Sequence, residues 1–172
     1  MIHETDAPAG FETFRVCGQA GGMRRIVVVG TSGSGKSTLA GEIARRLNLT
    51  HIELDALHWG PGWTSTPADR LRGKVIEAIE RAPRGWAVCG NYRVVRDAIW
   101  PHADTIIWLD YPMRIVFLRV LWRTMKRAWS GEMLWGGCRE NLWMQFCTKE
   151  SLFLWVINTW RIRWLAGASP WC

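Results

Sequence analysis

The chain has 172 residues, 48% of them apolar and 22% charged, with a formal net charge of +7. That length suits one domain around a single core, and the composition excludes an intrinsically disordered chain. No apolar run reaches the ~18–20 residues that a membrane-crossing helix needs; the nearest, Leu152 to Leu165, carries Arg161 and Arg163. The first residues include His3, Glu4 and Asp6 rather than a basic-then-apolar leader, so a cytoplasmic location is expected. The five cysteines (Cys17, Cys89, Cys138, Cys147, Cys172) are odd in number and form no CxxC pair, which argues for reduced thiols over zinc or disulfides. Charge is uneven: residues 1–110 hold 13 Lys/Arg against 12 Asp/Glu, and residues 111–172 hold 9 against 3. The basic half suggests contact with a polyanion, or simply a solvated basic surface. Thirteen tryptophans, ten of them at or beyond Trp100, read as an aromatic-rich core or, more narrowly, as base-stacking groups.

Residues 1–22 show no period and are expected to be a flexible N-terminal extension, with the functional domain over 23–172. Arg24 to Val29 ends in a β-branched run, Ile26-Val27-Val28-Val29, as a buried parallel strand does. Lys36 to Leu47 predicts a helix with Leu39, Ile43, Ala44 and Leu47 on one face. His51 to Leu54 predicts a strand ending at Asp55, and Pro67 to Arg81 a helix with Leu71, Val75, Ile76 and Ile79 inward. Trp86 to Cys89 and Thr105 to Leu109 predict two more strands, followed by Gly90-Asn91-Tyr92 and by Asp110. Pro112 opens a helix to about Ala128. Strands alternating with helices predict an α/β fold with a parallel sheet flanked by helices, whose ligands bind at the carboxyl ends of the strands.

The segment Gly30-Thr31-Ser32-Gly33-Ser34-Gly35-Lys36-Ser37, after a strand and before a helix, satisfies the P-loop pattern in full. Glycines permit positive φ and let several N–H groups converge on one anion, and the helix that follows adds its positive end. Gly30, Ser32, Gly33, Ser34, Gly35, Lys36, Ser37 and Thr38 are the expected ATP-binding residues, with Lys36 reaching the outer phosphates and Ser37 a ligand of Mg2+. The helix from Pro112 to Ala128 has no acidic residue, and Arg119, Arg123, Lys126 and Arg127 fall within about 100° on a wheel of ~3.6 residues per turn. Its remaining surface is apolar nearly all round, as on a buried helix. The stripe reads either as lining a phosphate-transfer cleft or as solvated side chains. Gly131 to Asn141 reads either as part of a mobile lid over 129–141, to which Arg139 adds a cation, or as a surface turn. Asp55 reads as contacting acceptor or magnesium, or as a turn cap; His58 positions an acceptor or is structural; Asp110 reads as a cap.

The P-loop, Leu54-Asp55-Ala56-Leu57-His58-Trp59, Gly90-Asn91-Tyr92, Trp108-Leu109-Asp110-Tyr111-Pro112, the arginine helix and Gly137-Cys138-Arg139-Glu140 together resemble the small adenylate-kinase-like P-loop proteins. Some of that group carry the label DNA topology modulation protein. The resemblance runs from about Met23 to Arg163. It implies a three-layer, nucleoside-monophosphate-kinase-like core of five parallel strands, ATP with Mg2+, and phosphoryl transfer to a small acceptor near Asp55 and His58. Lys36, Asp55, Arg119, Arg123 and Arg127 would then carry the chemistry. The chain departs from the pattern twice. Cys89 stands where such proteins have an acidic residue that holds magnesium through water, and no strand-like run follows Gly167, so the last strand is expected to be absent or altered. A kinase is therefore the leading reading. A non-catalytic ATP binder and a nucleic-acid-associated regulator are the alternatives.

Overall fold

A computed structural model describes residues 2–3, 13–18 and 22–130. The described chain divides into two units: residues 2–3, 13–18, 22–30 and 35–110 in the first, and 31–34 with 111–130 in the second.

The first unit is α/β. Its strands are β1 (Ile2–His3), β2 (Thr13–Gly18), β3 (Arg25–Gly30), β4 (Thr50–Glu53), β5 (Trp86–Cys89) and β6 (Thr105–Asp110). Its helices are α1 (Lys36–Leu47), α2 (Leu54–His58), α3 (Ala68–Glu80) and α4 (Arg96–Ile99). The sheet order is β1-β2-β6-β3-β5-β4, with β6, β3, β5 and β4 mutually parallel. β3 is central, and Ile26 to Val29 are at most 1% exposed. A strand covered on both faces has no reason to alternate, which explains its unbroken β-branched run. β5 is likewise buried throughout. β5 follows β4 in the chain yet lies between β4 and β3, and β6 lies on the far side of β3. The winding reverses at β3, which is where the carboxyl ends of parallel strands leave room for a ligand.

Each helix takes its place through small or branched apolar residues. α1 buries Ala40 and Ala44, and their short side chains let it approach β3 and β5 closely. Asn48 ends α1 in the left-handed conformation, its N–H bonded to the Ala44 carbonyl. α3 starts after Pro67 and buries Leu71 and Val75. At the amino ends of the strands, the Asp104 carboxylate accepts the backbone N–H groups of Arg24 and Arg25 at 2.9 and 2.8 Å, fastening the start of β3 to that of β6.

Within the span expected to be a flexible extension, Thr13–Gly18 pairs antiparallel with β6 along its whole length, and Ile2–His3 pairs with β2. β2 covers an edge of the parallel sheet that would otherwise present a row of open backbone groups. It also fills the side of β6 on which a further parallel strand would add. The described residues contain four parallel strands; the stretch after Gly167, where a last strand was expected to be absent or altered, the 129–141 lid beyond Ser130, and Arg139 lie outside them.

The second unit holds α5 (Met113–Ser130) and the loop Thr31–Ser34. The sequence predicts a helix buried nearly all round, and the structure differs. Val116, Val120 and Thr124, spaced four apart, are at most 2% exposed, whereas Leu118, Trp122, Met125 and Trp129 are 53–94% exposed. One narrow stripe of α5 is packed, the spacing expected of a helix that meets its surroundings along a single line. Among the described residues no helix is long and apolar enough to cross a membrane.

Candidate functional site

β3 runs into Gly30, and α1 starts at Lys36. Between them Gly33 has φ +81° and Gly35 φ +86°. The two glycines are needed for different reasons. A Cβ on Gly35 would meet nothing within 4 Å, so its requirement is the left-handed backbone alone. A Cβ on Gly33 would also run into the Val120 side chain and the Val116 carbonyl of the same unit. Ser34, 1% exposed, turns inward, and its Oγ and N–H both donate to the Thr31 carbonyl at 2.8 and 3.2 Å. Ser34 thus serves the shape of the loop.

α1 opens without a side-chain cap and without an acidic residue in its first turn. The leading N–H groups of a 12-residue helix therefore point outward with no built-in anion to offset them. Lys36 and Ser37, both half-buried, lie at that end, and Thr38 is exposed beside them. Gly30, Gly35, Lys36, Ser37 and Thr38 thus gather around one helix end in the first unit, and Ser32, Gly33 and Ser34 form the adjoining stretch of chain in the second.

Asp55 lies one residue past the expected strand end, in the first turn of α2. It caps nothing. Its Oδ1 accepts the Tyr92 hydroxyl at 2.6 Å, a short O–H···O bond. Burial and the Asp55 charge push the Tyr92 pKa far up, so the phenol stays protonated and keeps donating. The His58 ring packs on Tyr92 and Trp59 with centroids 4.7 and 4.6 Å away. Burial lowers the His58 pKa against the pull of Asp55, so its imidazole is neutral at pH 7. Its buried Nδ1 has no hydrogen-bond partner. Arg96 donates to Asn91 Oδ1 at 3.0 Å and lies 4.9 Å over the Trp100 ring, holding the Gly90-Asn91-Tyr92 turn from behind.

Tyr92 is the residue that spacing did not single out. Its only sequence signal is the short Gly-Asn-Tyr segment after a strand.

Cys89 ends β5, 2% exposed, with its Sγ 3.6 Å from Ser37 Oγ and 3.5 Å from His51 Nε2. Burial first, and then the nearby charges of Glu53 and Asp55, push its pKa up to about 11 against the Ser37 bond, so it is a neutral thiol.

In the second unit, Arg119 lies 4.6 Å over the Tyr111 ring. On a helical wheel Arg123 falls about 20° and Arg119 about 60° from Val116, the residue whose carbonyl faces Gly33. Arg123 therefore lies toward the side of α5 that meets the Thr31–Ser34 loop, while Arg119 is about 100° round from Val120, the nearest α5 residue to Gly33. Arg123 is half-buried and Arg119 exposed. The Arg127 side chain lies outside the described residues.

A cavity of about 550 Å³ opens elsewhere, at the amino ends of β3 and β5, lined by Arg24, Arg84, Trp86 and the Arg72–Asp97 pair. The start of α1 at the other pole is the end of a 12-residue helix with no acidic residue in its first turn, entered through two positive-φ glycines. That geometry suits an anion better than this cavity, where Asp97 already occupies the first turn of α4.

No family model matches the chain. Over 130 residues it is 27% identical to the uncharacterized protein YqaC of Bacillus subtilis (strain 168), a match covering 76% of this chain and 72% of that one. The likeness runs along most of both proteins, and YqaC's name assigns no activity.

Proposed function

We propose that this chain binds a nucleoside triphosphate such as ATP on the Gly30–Ser37 loop and transfers its terminal phosphoryl group to a small acceptor. The observation that carries this reading is the start of α1: an uncapped helix end without acidic residues, entered through two left-handed glycines and followed at once by Lys36-Ser37. In this P-loop reading the backbone N–H groups of the loop and of α1 bind phosphate oxygens, and Lys36 places its ammonium on the outer phosphates. Asp55, steadied by the Tyr92 hydroxyl, orients an acceptor hydroxyl with its free oxygen. Neutral His58 and the neighbouring Trp59 form the wall beside it. Arg119 and Arg123 are assigned to charge developing on the transferred group, a role drawn from the resemblance to adenylate-kinase-like proteins and, for Arg123, favoured by its side of α5.

The residues fit the phosphates better than they fit magnesium. Ser37 offers one hydroxyl oxygen, but its neighbour is a buried thiol that in turn contacts an imidazole, and magnesium wants oxygen. That mismatch favours one second reading, a protein that binds ATP without turning it over.

The test is ADP release from ATP by the purified chain with a panel of nucleoside monophosphates, nucleosides and sugars, with Lys36→Ala as blank. Release that an acceptor stimulates and the variant lacks supports the transferase and names its substrate class. ATP binding without release under any acceptor supports the binder.

A further inference from the structure

Three side chains from three elements meet beside the first turn of α1. Ser37 belongs to α1, Cys89 ends β5, and His51 lies on β4, the strand whose Glu53 pairs with Cys89. Cys89 Sγ is 3.6 Å from Ser37 Oγ and 3.5 Å from His51 Nε2. A tetrahedral ion with bonds of about 2.3 Å to sulfur, ~2.05 Å to nitrogen and ~2.1 Å to oxygen has S···N and S···O edges of roughly 3.5–3.6 Å. The sulfur thus already stands one coordination edge from each neighbour. A thiol hydrogen bond has similar length, so the donor set has to decide. Thiol and imidazole are soft and borderline ligands, suited to zinc, cobalt or cadmium and poorly suited to magnesium.

Resting on the nucleotide-binding reading above, we propose that the cation accompanying the nucleotide here is a thiophilic divalent ion of the zinc, cobalt(II) or cadmium class. Cys89 Sγ, His51 Nε2 and Ser37 Oγ hold it, and a phosphate oxygen completes its shell. On binding, the Cys89 S–H bond breaks, a metal–sulfur bond forms and the proton passes to solvent; nothing is oxidised or reduced. Among the described residues no group of three or more His, Cys, Asp and Glu lies together, so the protein alone supplies two strong ligands and one weak one. The ion is therefore held firmly only when the nucleotide is present. His51 is exposed, which leaves a path in.

The experiment titrates the full chain with ATP in the presence of Mg2+ or Co2+, following affinity by calorimetry and the near-ultraviolet thiolate-to-cobalt band by absorbance. ATP is expected to bind at least ~10-fold more tightly with Co2+, and the band to appear when Co2+ and ATP are both present. Cys89→Ser should lose the band. Cys89→Asp should lose it and make Mg2+ at least the equal of Co2+. His51→Ala, at an exposed position, should weaken the cobalt preference without threatening the fold. Equal affinity with the two ions and no band, or a band that survives Cys89→Ser, would overturn the inference while leaving ATP binding intact. Absence of ATP binding under every condition would remove the nucleotide reading and this inference with it.

Discussion

Two corners of the first unit, both at the carboxyl ends of strands, carry opposite chemistry. Around Asp55 the partners are a phenol that cannot ionise and a carboxylate held at 2.6 Å. Around Cys89 they are a neutral thiol, an imidazole and a hydroxyl. The first corner is the one proposed above to orient an acceptor hydroxyl. The second has a thiol, Cys89, at the strand end where the resembling proteins have a carboxylate. In the proposed reading the two corners would flank a triphosphate on the Gly30–Ser37 loop, one facing the acceptor and the other the cation, so phosphate binding and cation choice can be tested separately.

The largest expected effect that sharpens this contrast is chemical. With its pKa near 11 and 2% exposed, Cys89 should alkylate at pH 8 at least ~100-fold more slowly in the folded chain than in urea, as followed by peptide mass spectrometry. Comparable rates would mean that the corner is open and the thiol activated. Next, Tyr92→Phe removes the donor from Asp55, which should cost about 1.5–3 kcal/mol in denaturant unfolding and lower acceptor-dependent turnover on the order of 10-fold. Unchanged values in both would sever Asp55 from the acceptor role.

A smaller effect concerns His58. Its pKa is lowered from 6.5 by burial, so the folded chain binds that proton less readily than the unfolded chain does. Its contribution to stability is full above about pH 6.5 and is lost as pH falls through the lowered value. Melting temperature measured from pH 8 to 5 should fall less steeply in His58→Gln than in the native chain. Smallest of all is Arg72→Ala. It breaks an exposed pair with Asp97 at the opposite pole, and it should leave both ATP affinity and melting temperature within experimental scatter.

The sequence made some of this plain and hid the rest for physical reasons. α1 and β5 have the bounds predicted, and the other parallel strands and long helices differ by one or two residues, because buried β-branched runs and long amphipathic stretches carry strong local signals. α2 was missed, since five residues are too few to show a helical period. β2 was missed because its partner, β6, lies about 90 residues away, and nothing local in Thr13–Gly18 reveals a non-local antiparallel pairing. The loop motif was legible because its left-handed backbone demands glycine at fixed positions, Gly33 and Gly35. The Tyr92–Asp55 bond and the His51–Cys89 contact were not, because they join residues 37 and 38 apart through the fold alone.

The most direct test of the account is the affinity of the native chain and of Lys36→Ala for ATP, measured by calorimetry with circular dichroism as a check on folding. The account predicts clear binding by the native chain and a loss on the order of 100-fold in a variant that remains folded. Equal affinity in the two, or no binding by a folded native chain, would contradict it.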